Sequence, residues 1–562
     1  MTALIIAVAG LLTVAMTAAL APRLRVAAPL LLVVLGIAIS FVPGVPGIQV
    51  DPEWILAGVL PPLLYSASVS MPAMSFRRDL GAIGGLSVVL VVLSSFVLGA
   101  FFSWVIPGLD LWWGVALGAI VSPTDAVATS IVRRSGVSGR VVAVLEGESL
   151  LNDATALVLL RTAVAGTAAS VSLWHVAGSF GYSVAVAVVI GAVVALVMLR
   201  VRSRVTDPTV STVLSFTVPF LASIPSELLG TSGLVAAVVA GLVTGQGAPR
   251  RLAPQHRLSE TQTWRTVELV LEGAVFLLMG LELSQIVDDV RAQHDGVGAA
   301  LAIAGGAFLL SVLVRTAYVS PLVAGLRRRA RRAERSRPRL DAFQLALQQP
   351  EAQRGRPADE ARGPGRRPVP PHRLEQMRTR LTRVLADIDY YLAVPLGWRE
   401  GGVLVWAGMR GAVTLAAAQT LPASTPHRPL FVLVAFTVAA GSLLLQGSTL
   451  QTAVRWLRPA PVDTEALATD REDLRVLLAQ VRRDVLARDA PTEATVRPSP
   501  VDRARALELA VIAAQRTAVL DARDDGTVGV DALDDALARL DVEQVRLELA
   551  DEPATGERPG EH

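Results

Sequence analysis

The chain contains no cysteine and no lysine. Without cysteine there is no disulfide framework, no thiolate metal site and no thiol nucleophile. All 52 basic residues are therefore arginine, which we read as codon bias in a GC-rich genome and not as a functional signal. Charge is scarce as well. Charged residues make up 18% of the 562 positions and hydrophobic residues 52%, whereas about a quarter of an ordinary soluble domain is charged. With a mean hydropathy of +0.49, this composition argues against a globular enzyme, and no enzymatic activity is expected. The formal net charge of +3 conceals two opposed regions near the C-terminus.

Long apolar runs dominate from Ala3 to about Leu457. Each approaches the ~20 residues that cross ~30 Å of hydrocarbon. Thirteen spans are expected, at roughly 3–21, 26–42, 54–71, 81–106, 111–132, 139–161, 176–199, 211–225, 230–246, 265–286, 297–324, 399–421 and 428–454. The eighth is short and holds Pro219 and Pro225, which leaves its ends open. No basic residue precedes the first run, so it reads as a span and not as a cleaved leader.

Arginine placement tests this count, because cytoplasmic loops collect basic residues. Arg23 and Arg25 follow span one, Arg77 and Arg78 span three, and Arg133, Arg134 and Arg140 span five. Arg200, Arg202 and Arg204 follow span seven, and Arg250, Arg251 and Arg257 span nine, while the intervening loops hold only Arg291 and Arg428. The alternation places the N-terminus outside and the C-terminus in the cytoplasm of a cell (plasma or inner) membrane. Spans one to eleven then occupy residues 1–326 and spans twelve and thirteen residues 399–457, with a cytoplasmic loop at 327–398 and a tail at 458–562. Residues 327–399 carry 18 Arg against 8 Asp and Glu with scattered Pro and Gly, the composition of a basic, flexible loop. Residues 463–562 carry 23 Asp and Glu against 13 Arg, and helical spacing recurs over Thr464–Ala487, Pro500–Ala522 and Val530–Ala550. The plain reading is a solvated loop and a small helical appendage; the sharper one is that the acidic tail docks on the basic loop.

Polar residues at membrane depth are functional candidates by default. In span five, Ser122-Pro123-Thr124-Asp125 puts a helix-breaking proline beside a carboxylate. The proline frees backbone carbonyls there. Span six contains Glu146, Glu148 and Asp153 within eight residues, with Ser149 and Asn152 between them. At i,i+4 spacing Glu148 and Asn152 share one helix face, and Ser149 and Asp153 a neighbouring one. At 1.5 Å per residue Asp153 lies about 20 Å from Arg140, and Asp125 about 21 Å from Leu111 in the opposite sense. Both fall just past the midplane of a ~30 Å core. Two such acids require a cation or a shared proton between them. In span twelve Arg410 lies near the midplane between Gly408 and Gly411, which weaken the helix. Spans five and twelve are seven apart and run oppositely, so interrupted helices in each point to inverted repeats of spans one to six and eight to thirteen, with span seven as linker. Arg315 in span eleven should pair with Glu148, with Glu272 in span ten as the competitor; snorkelling to the interface is the alternative. Arg161 and Glu227 sit at span ends and are given no role.

Gly-Ala-Ile-Val-Ser-Pro-Thr-Asp-Ala-Val-Ala, Glu-Gly-Glu-Ser-Leu-Leu-Asn-Asp and Trp-Ala-Gly-Met-Arg-Gly-Ala-Val-Thr-Leu resemble the monovalent cation/proton antiporter-1 family, in its bacterial Na⁺/H⁺ antiporter branch. Leu60-Pro61-Pro62-Leu63-Leu64 and Phe276-Leu277-Leu278-Met279-Gly280 extend the resemblance over about residues 1–457; the tail lies outside it. The resemblance implies an all-α polytopic membrane protein of about thirteen transmembrane helices, with crossed discontinuous helices in a core bundle that moves against a dimerisation domain. It further implies a homodimer that takes up monovalent cations and protons. Asp125 and Asp153 would bind Na⁺ (or K⁺ or Li⁺) and H⁺, with the Ser149 hydroxyl and the Thr124 carbonyl, while Glu148, Asn152 and Arg315 would form the supporting network and Arg410 would lie beside it. Asn152 before Asp153 resembles the electroneutral branch. One departure is the stretch after Leu64: many relatives carry an acid where this chain has Tyr65-Ser66, so Ser66 would be a substituted ligand.

The expected function is exchange of a monovalent cation, Na⁺ first, for H⁺ by alternating access, serving pH and sodium homeostasis. K⁺/H⁺ exchange is the alternative, and proton-coupled transport of an organic solute a weaker one. A cation channel lacks a filter-like sequence here, and a membrane sensor lacks a phosphate loop or metal cluster in its tail. No cofactor and no nucleic-acid partner is expected.

Overall fold

The computed structural model describes residues 2–24, 26–43, 51–168, 173–293, 296–348, 371–461, 464–488 and 500–549. In the membrane part these form α1 (Thr2–Leu24), α2 (Ala28–Ser40), α3 (Leu60–Ser70), α4 (Ala73–Gly84), α5 (Leu90–Val105), α6 (Leu111–Val121), α7 (Val127–Arg134), α8 (Gly139–Ala168) and α9 (Leu173–Arg202). They continue as α10 (Pro208–Leu228), α11 (Gly233–Arg251), α12 (Pro254–Leu281), α13 (Leu283–Ala292) and α14 (Val297–Gln348). After α15 (Pro371–Ala393) come α16 (Trp398–Trp406), α17 (Ala412–Gln419) and α18 (Arg428–Leu457), then α19 (Thr464–Arg488), α20 (Pro500–Asp525) and α21 (Val530–Leu549). In lipid every backbone N–H and C=O must find its partner inside the protein, and these apolar runs have the helix as the available solution.

Among the described residues, seven helices are long and apolar enough to cross a bilayer on their own. The other six expected spans depart for identifiable reasons. Those at α2 and α3 are short, the latter entered through a π-helical turn at Trp54–Val59. α8 carries Glu146, Glu148 and Asp153, and α11 ends in Gln246, Arg250 and Arg251. The fifth and twelfth are broken, as the sequence predicted: α6 stops at Val121 and α7 begins at Val127, and α16 stops at Trp406 and α17 begins at Ala412. α10 runs unbroken through Pro219 and Pro225. α1 and α9 turn Leu4, Leu12, Met16, Val189, Val193 and Val197 outward, as lipid-facing helices do.

Two compact units emerge, residues 1–323 with 398–462, and residues 324–397 with 463–562. Within the first, α1, α2 and α3 pack with α9, α10, α11 and α12. α4 to α8 pack with α16 to α18 in a second bundle, which α14 joins through Arg315. Spans one to three thus share a bundle with eight to ten, and four to six with eleven to thirteen, the pairing that inverted repeats require. Small residues let backbones approach: a Cβ at Gly36 of α2 would lie 2.9 Å from the Gly280 Cα of α12, so this crossing admits glycine alone on both sides.

The second unit corrects one expectation. Residues 327–348 and 371–393, read as flexible, are helical; residues 349–370 lie outside the described residues. Arg, Ala and Leu are strong helix formers, and over 327–348 they outweigh the single Pro338. In the tail α19, α20 and α21 pack together around Leu474, Ile512, Val519, Leu533 and Leu540. Ion pairs tie them together, Arg482–Glu508 at 2.6 Å on the surface and Arg516–Asp541 at 2.7 Å largely buried. Gly526, at φ +72, ends α20 in the left-handed conformation that glycine tolerates best. α15 packs on α20, with Arg383 3.4 Å from Asp525.

Candidate ion-binding site

The two breaks cross each other. The Asp125 backbone N–H donates to the Met409 carbonyl at 2.8 Å. Arg410 Nε donates to the Val121 carbonyl at 3.0 Å, and its Nη1 donates to the Gly408 carbonyl. One guanidinium therefore holds the last carbonyl of α6 and a carbonyl of the second break, two residues beyond the end of α16. The carbonyl end of a half-helix carries the negative pole and several orphan acceptors. The N-termini of α7 and α17, the positive poles, flank Asp125, whose Oδ1 accepts the Val127 N–H at 2.9 Å. The Ser442 hydroxyl of α18 accepts the Arg410 N–H at 2.9 Å and pins the second break.

Glycine at 411 and 408 serves close approach more than helix weakness. A Cβ at Gly411 would lie 2.5 Å from the Asp125 Cγ and overlap the carboxylate oxygen; one at Gly408 would lie 2.6 Å from Arg315 Nε. At either position a side chain would displace the charged group that it faces.

α8 presses the first break from the side. Asn152 Nδ2 donates to the Thr124 carbonyl at 2.9 Å and to its hydroxyl at 2.8 Å, and the Thr124 hydroxyl donates to Glu148 Oε1 at 3.0 Å. Glu148 in turn holds Arg315, whose Nη2 donates to Oε2 at 2.8 Å and whose Nε donates to the Leu404 carbonyl of α16 at 2.9 Å. Glu148, Asn152 and Arg315 are 2%, 1% and 3% exposed, so the network is dry and Arg315 does not snorkel. It ties α8, α14 and both broken helices together. Asn152 Oδ1 is buried with no hydrogen-bond partner among the described residues.

Ser149 and Asp153 lie one turn apart on α8, both buried. Asp153 faces a narrow crevice lined by Ile120 and Pro123 of the first broken helix, Leu157 of α8, and Val413 and Ala417 of α17. Asp125 is its charged neighbour. Ser66 is buried on α3, apart from this hydrogen-bonded network. Glu272, considered as a partner of Arg315, does not take that role; it sits on α12 within electrostatic reach of Asp125 and Glu268. Arg161 and Glu227 pair with each other at 2.8 Å. Sequence reasoning did not find the Met409 carbonyl, Ser442 or the Glu272–Asp125 proximity. The last had a readable signal, an acid inside an apolar span.

Two oppositely running broken helices that cross each other, with two carboxylates beside them, define a secondary transporter for a small ion. The chain belongs to the sodium/hydrogen exchanger family: the family's transmembrane profile matches residues 10–336. It is 26% identical over 581 residues to an "Uncharacterized Na(+)/H(+) exchanger" of Mycobacterium tuberculosis, covering 97% of this chain and 96% of the relative. It is 24% identical over 485 residues to the Na(+)/H(+) antiporter ApNhaP of Aphanothece halophytica, covering 85% of this chain and 77% of that one. In fold it is similar to the sodium proton antiporter MjNhaP1 of Methanocaldococcus jannaschii, with a TM-score of 0.54 and 17% identity over 81% of this chain and 99% of that chain.

Proposed function

We propose that the chain exchanges Na⁺ for H⁺ electroneutrally across the plasma membrane, as a homodimer with its C-terminus in the cytoplasm, and so serves pH and sodium homeostasis. The observation that carries this reading is the crossing itself, with Asp125 against Met409 and Gly411, and Asp153 on the adjoining α8. A dehydrated Na⁺ and protons compete for the two carboxylates. The Ser149 hydroxyl and the Thr124 carbonyl, which keeps one lone pair after accepting from Asn152, supply further oxygens. Glu272 adds a third negative charge near Asp125, which offsets the serine at position 66.

Neutralisation by either substrate lets the second bundle rock against the first. Left empty, the doubly charged site would cost several kcal/mol to carry across a low-dielectric barrier, which suppresses leak. The Glu148–Arg315–Asn152 network keeps the broken helices rigid through the movement. Gln419 Nε2 donates to Glu282 Oε2 at 2.6 Å, joining α17 to the α12–α13 junction on the side away from the arginine-rich loops. This bridge must part when that side opens.

The test is cation-induced pH change in proteoliposomes for Na⁺, Li⁺ and K⁺, with and without a voltage clamp. Saturable, voltage-insensitive exchange strongest with Na⁺, and lost in Asp153→Asn while the protein stays folded, is the expected result. Exchange retained by Asp153→Asn refutes the site, and a preference for K⁺ moves the assignment to K⁺/H⁺ exchange.

A further inference from the structure

α14 does not end where its apolar stretch ends. Leu326 is followed at once by a run in which eight of thirteen residues, 327–339, are arginine, all on the same continuous helix. At about 100° per residue, Arg327, Arg331, Arg335, Arg328, Arg339 and Arg332 fall within an arc of about 140°. The opposite side is occupied: Leu340 packs on Leu381 and Leu385, and Arg337 pairs with Asp389 of α15 at 2.7 Å. The six arginines of the arc are exposed, and none forms an ion pair among the described residues. Glu334 is the single acid at the edge of this stripe.

We infer that this stripe is a binding surface for the anionic phosphodiester headgroups of membrane lipids. Three observations favour that occupant. Arg327 and Arg328 follow directly on the apolar stretch, and Arg331 and Arg332 lie one turn later, about 6 Å along the axis. The interfacial layer of a bilayer is of the same depth, roughly 5–7 Å. Clustered arginines just beyond a transmembrane helix gain strongly from an anionic leaflet. Five acids of the chain's own second unit are engaged elsewhere: Asp389, Asp525, Asp535, Glu508 and Asp541 already pair with Arg337, Arg383, Arg471, Arg482 and Arg516. Guanidinium forks also match phosphate oxygens bidentately, the geometry a phosphodiester headgroup offers.

The full chain in neutral detergent is titrated with phosphatidylglycerol, phosphatidylcholine or glycerol 1-phosphate, and bound ligands are counted by native mass spectrometry. Phosphatidylglycerol should bind about tenfold more tightly than phosphatidylcholine, and glycerol 1-phosphate should not compete. In the variant R327Q/R328Q/R331Q/R332Q the preference should fall to about threefold or less. Glutamine keeps length and helix propensity and breaks no ion pair, and unchanged exchange in phosphatidylcholine vesicles verifies folding. A preference retained in the variant overturns the assignment. Competition by glycerol 1-phosphate makes this a free-phosphate site and overturns it too. A preference seen only after residues 551–562 are removed assigns the stripe to the chain's own acidic end.

Discussion

Gly411→Ala is the sharpest probe of the crossing. The added methyl would stand 2.5 Å from the Asp125 Cγ and 2.9 Å from its Cβ, where non-bonded carbon atoms settle at about 3.5–4.0 Å. Asp125 or the break at 407–411 must therefore shift by roughly 1 Å. Gly411 has φ −117 and ψ −171, an extended conformation that alanine adopts freely, so the effect is steric and not conformational. A shift of Asp125 strains the Val127 N–H bond to its Oδ1, a charge-assisted contact worth about 1.5–3 kcal/mol. A misplacement of ~1 Å at a reacting group costs on the order of 10²-fold in rate. The expected outcome is a fall in maximal Na⁺-driven proton flux of about that size, with normal expression and a monodisperse size-exclusion profile. Gly441→Ala is the control, because nothing lies within 4 Å of a Cβ there; it should transport normally. Gly411→Ala with wild-type flux and half-saturation would refute the placement of Asp125 against the second break.

Three further predictions follow from the same geometry. Glu148→Gln should destabilise the detergent-solubilised protein by about 3–5 kcal/mol, since it strands the buried Arg315 charge; adding Arg315→Met should recover part of this in thermal unfolding, and strict additivity would disprove the coupling. Glu272→Gln should weaken apparent Na⁺ affinity by roughly five- to tenfold with maximal rate kept, because one charge near Asp125 contributes on the order of 1 kcal/mol at an effective dielectric of about 20; an unchanged half-saturation concentration would remove Glu272 from the site. In the tail, desolvation and then the Asp531 charge push the Asp534 carboxyl up to about 6. A raised carboxyl stabilises the fold in acid and loses that contribution as pH rises through about 6, so hydrogen exchange around Leu533 and Leu537 should quicken between pH 5 and 7, and Asp534→Asn should flatten that rise. A variant as pH-sensitive as the wild type would contradict the assignment.

The spans were legible because hydrocarbon imposes one length and one polarity on every crossing segment, and that signal is local. So were the breaks: Pro123 and the pair Gly408 and Gly411 each mark their own helix. The Glu148–Arg315 pair was also within reach, since two opposite charges inside lipid need each other. The loop over 327–399 was misread because scattered Pro and Gly weigh heavily in a composition, while α15 is held by packing on α20 that no local window contains. The glycines beside Arg410 were read as helix weakeners, and their use as clearances for Asp125 and Arg315 depends on residues 286 and 93 positions away in sequence.

By itself, then, the sequence determined a polytopic helical membrane protein and its two interrupted helices, because each follows from the few residues around it and the thickness of the bilayer. Only the tertiary structure decided that one guanidinium holds a carbonyl of each broken helix, that Asp125 rests against Gly411, that Arg315 chose Glu148 over Glu272, and which face of the arginine run stays open. Those are matters of which atoms meet, and they are set when distant helices pack.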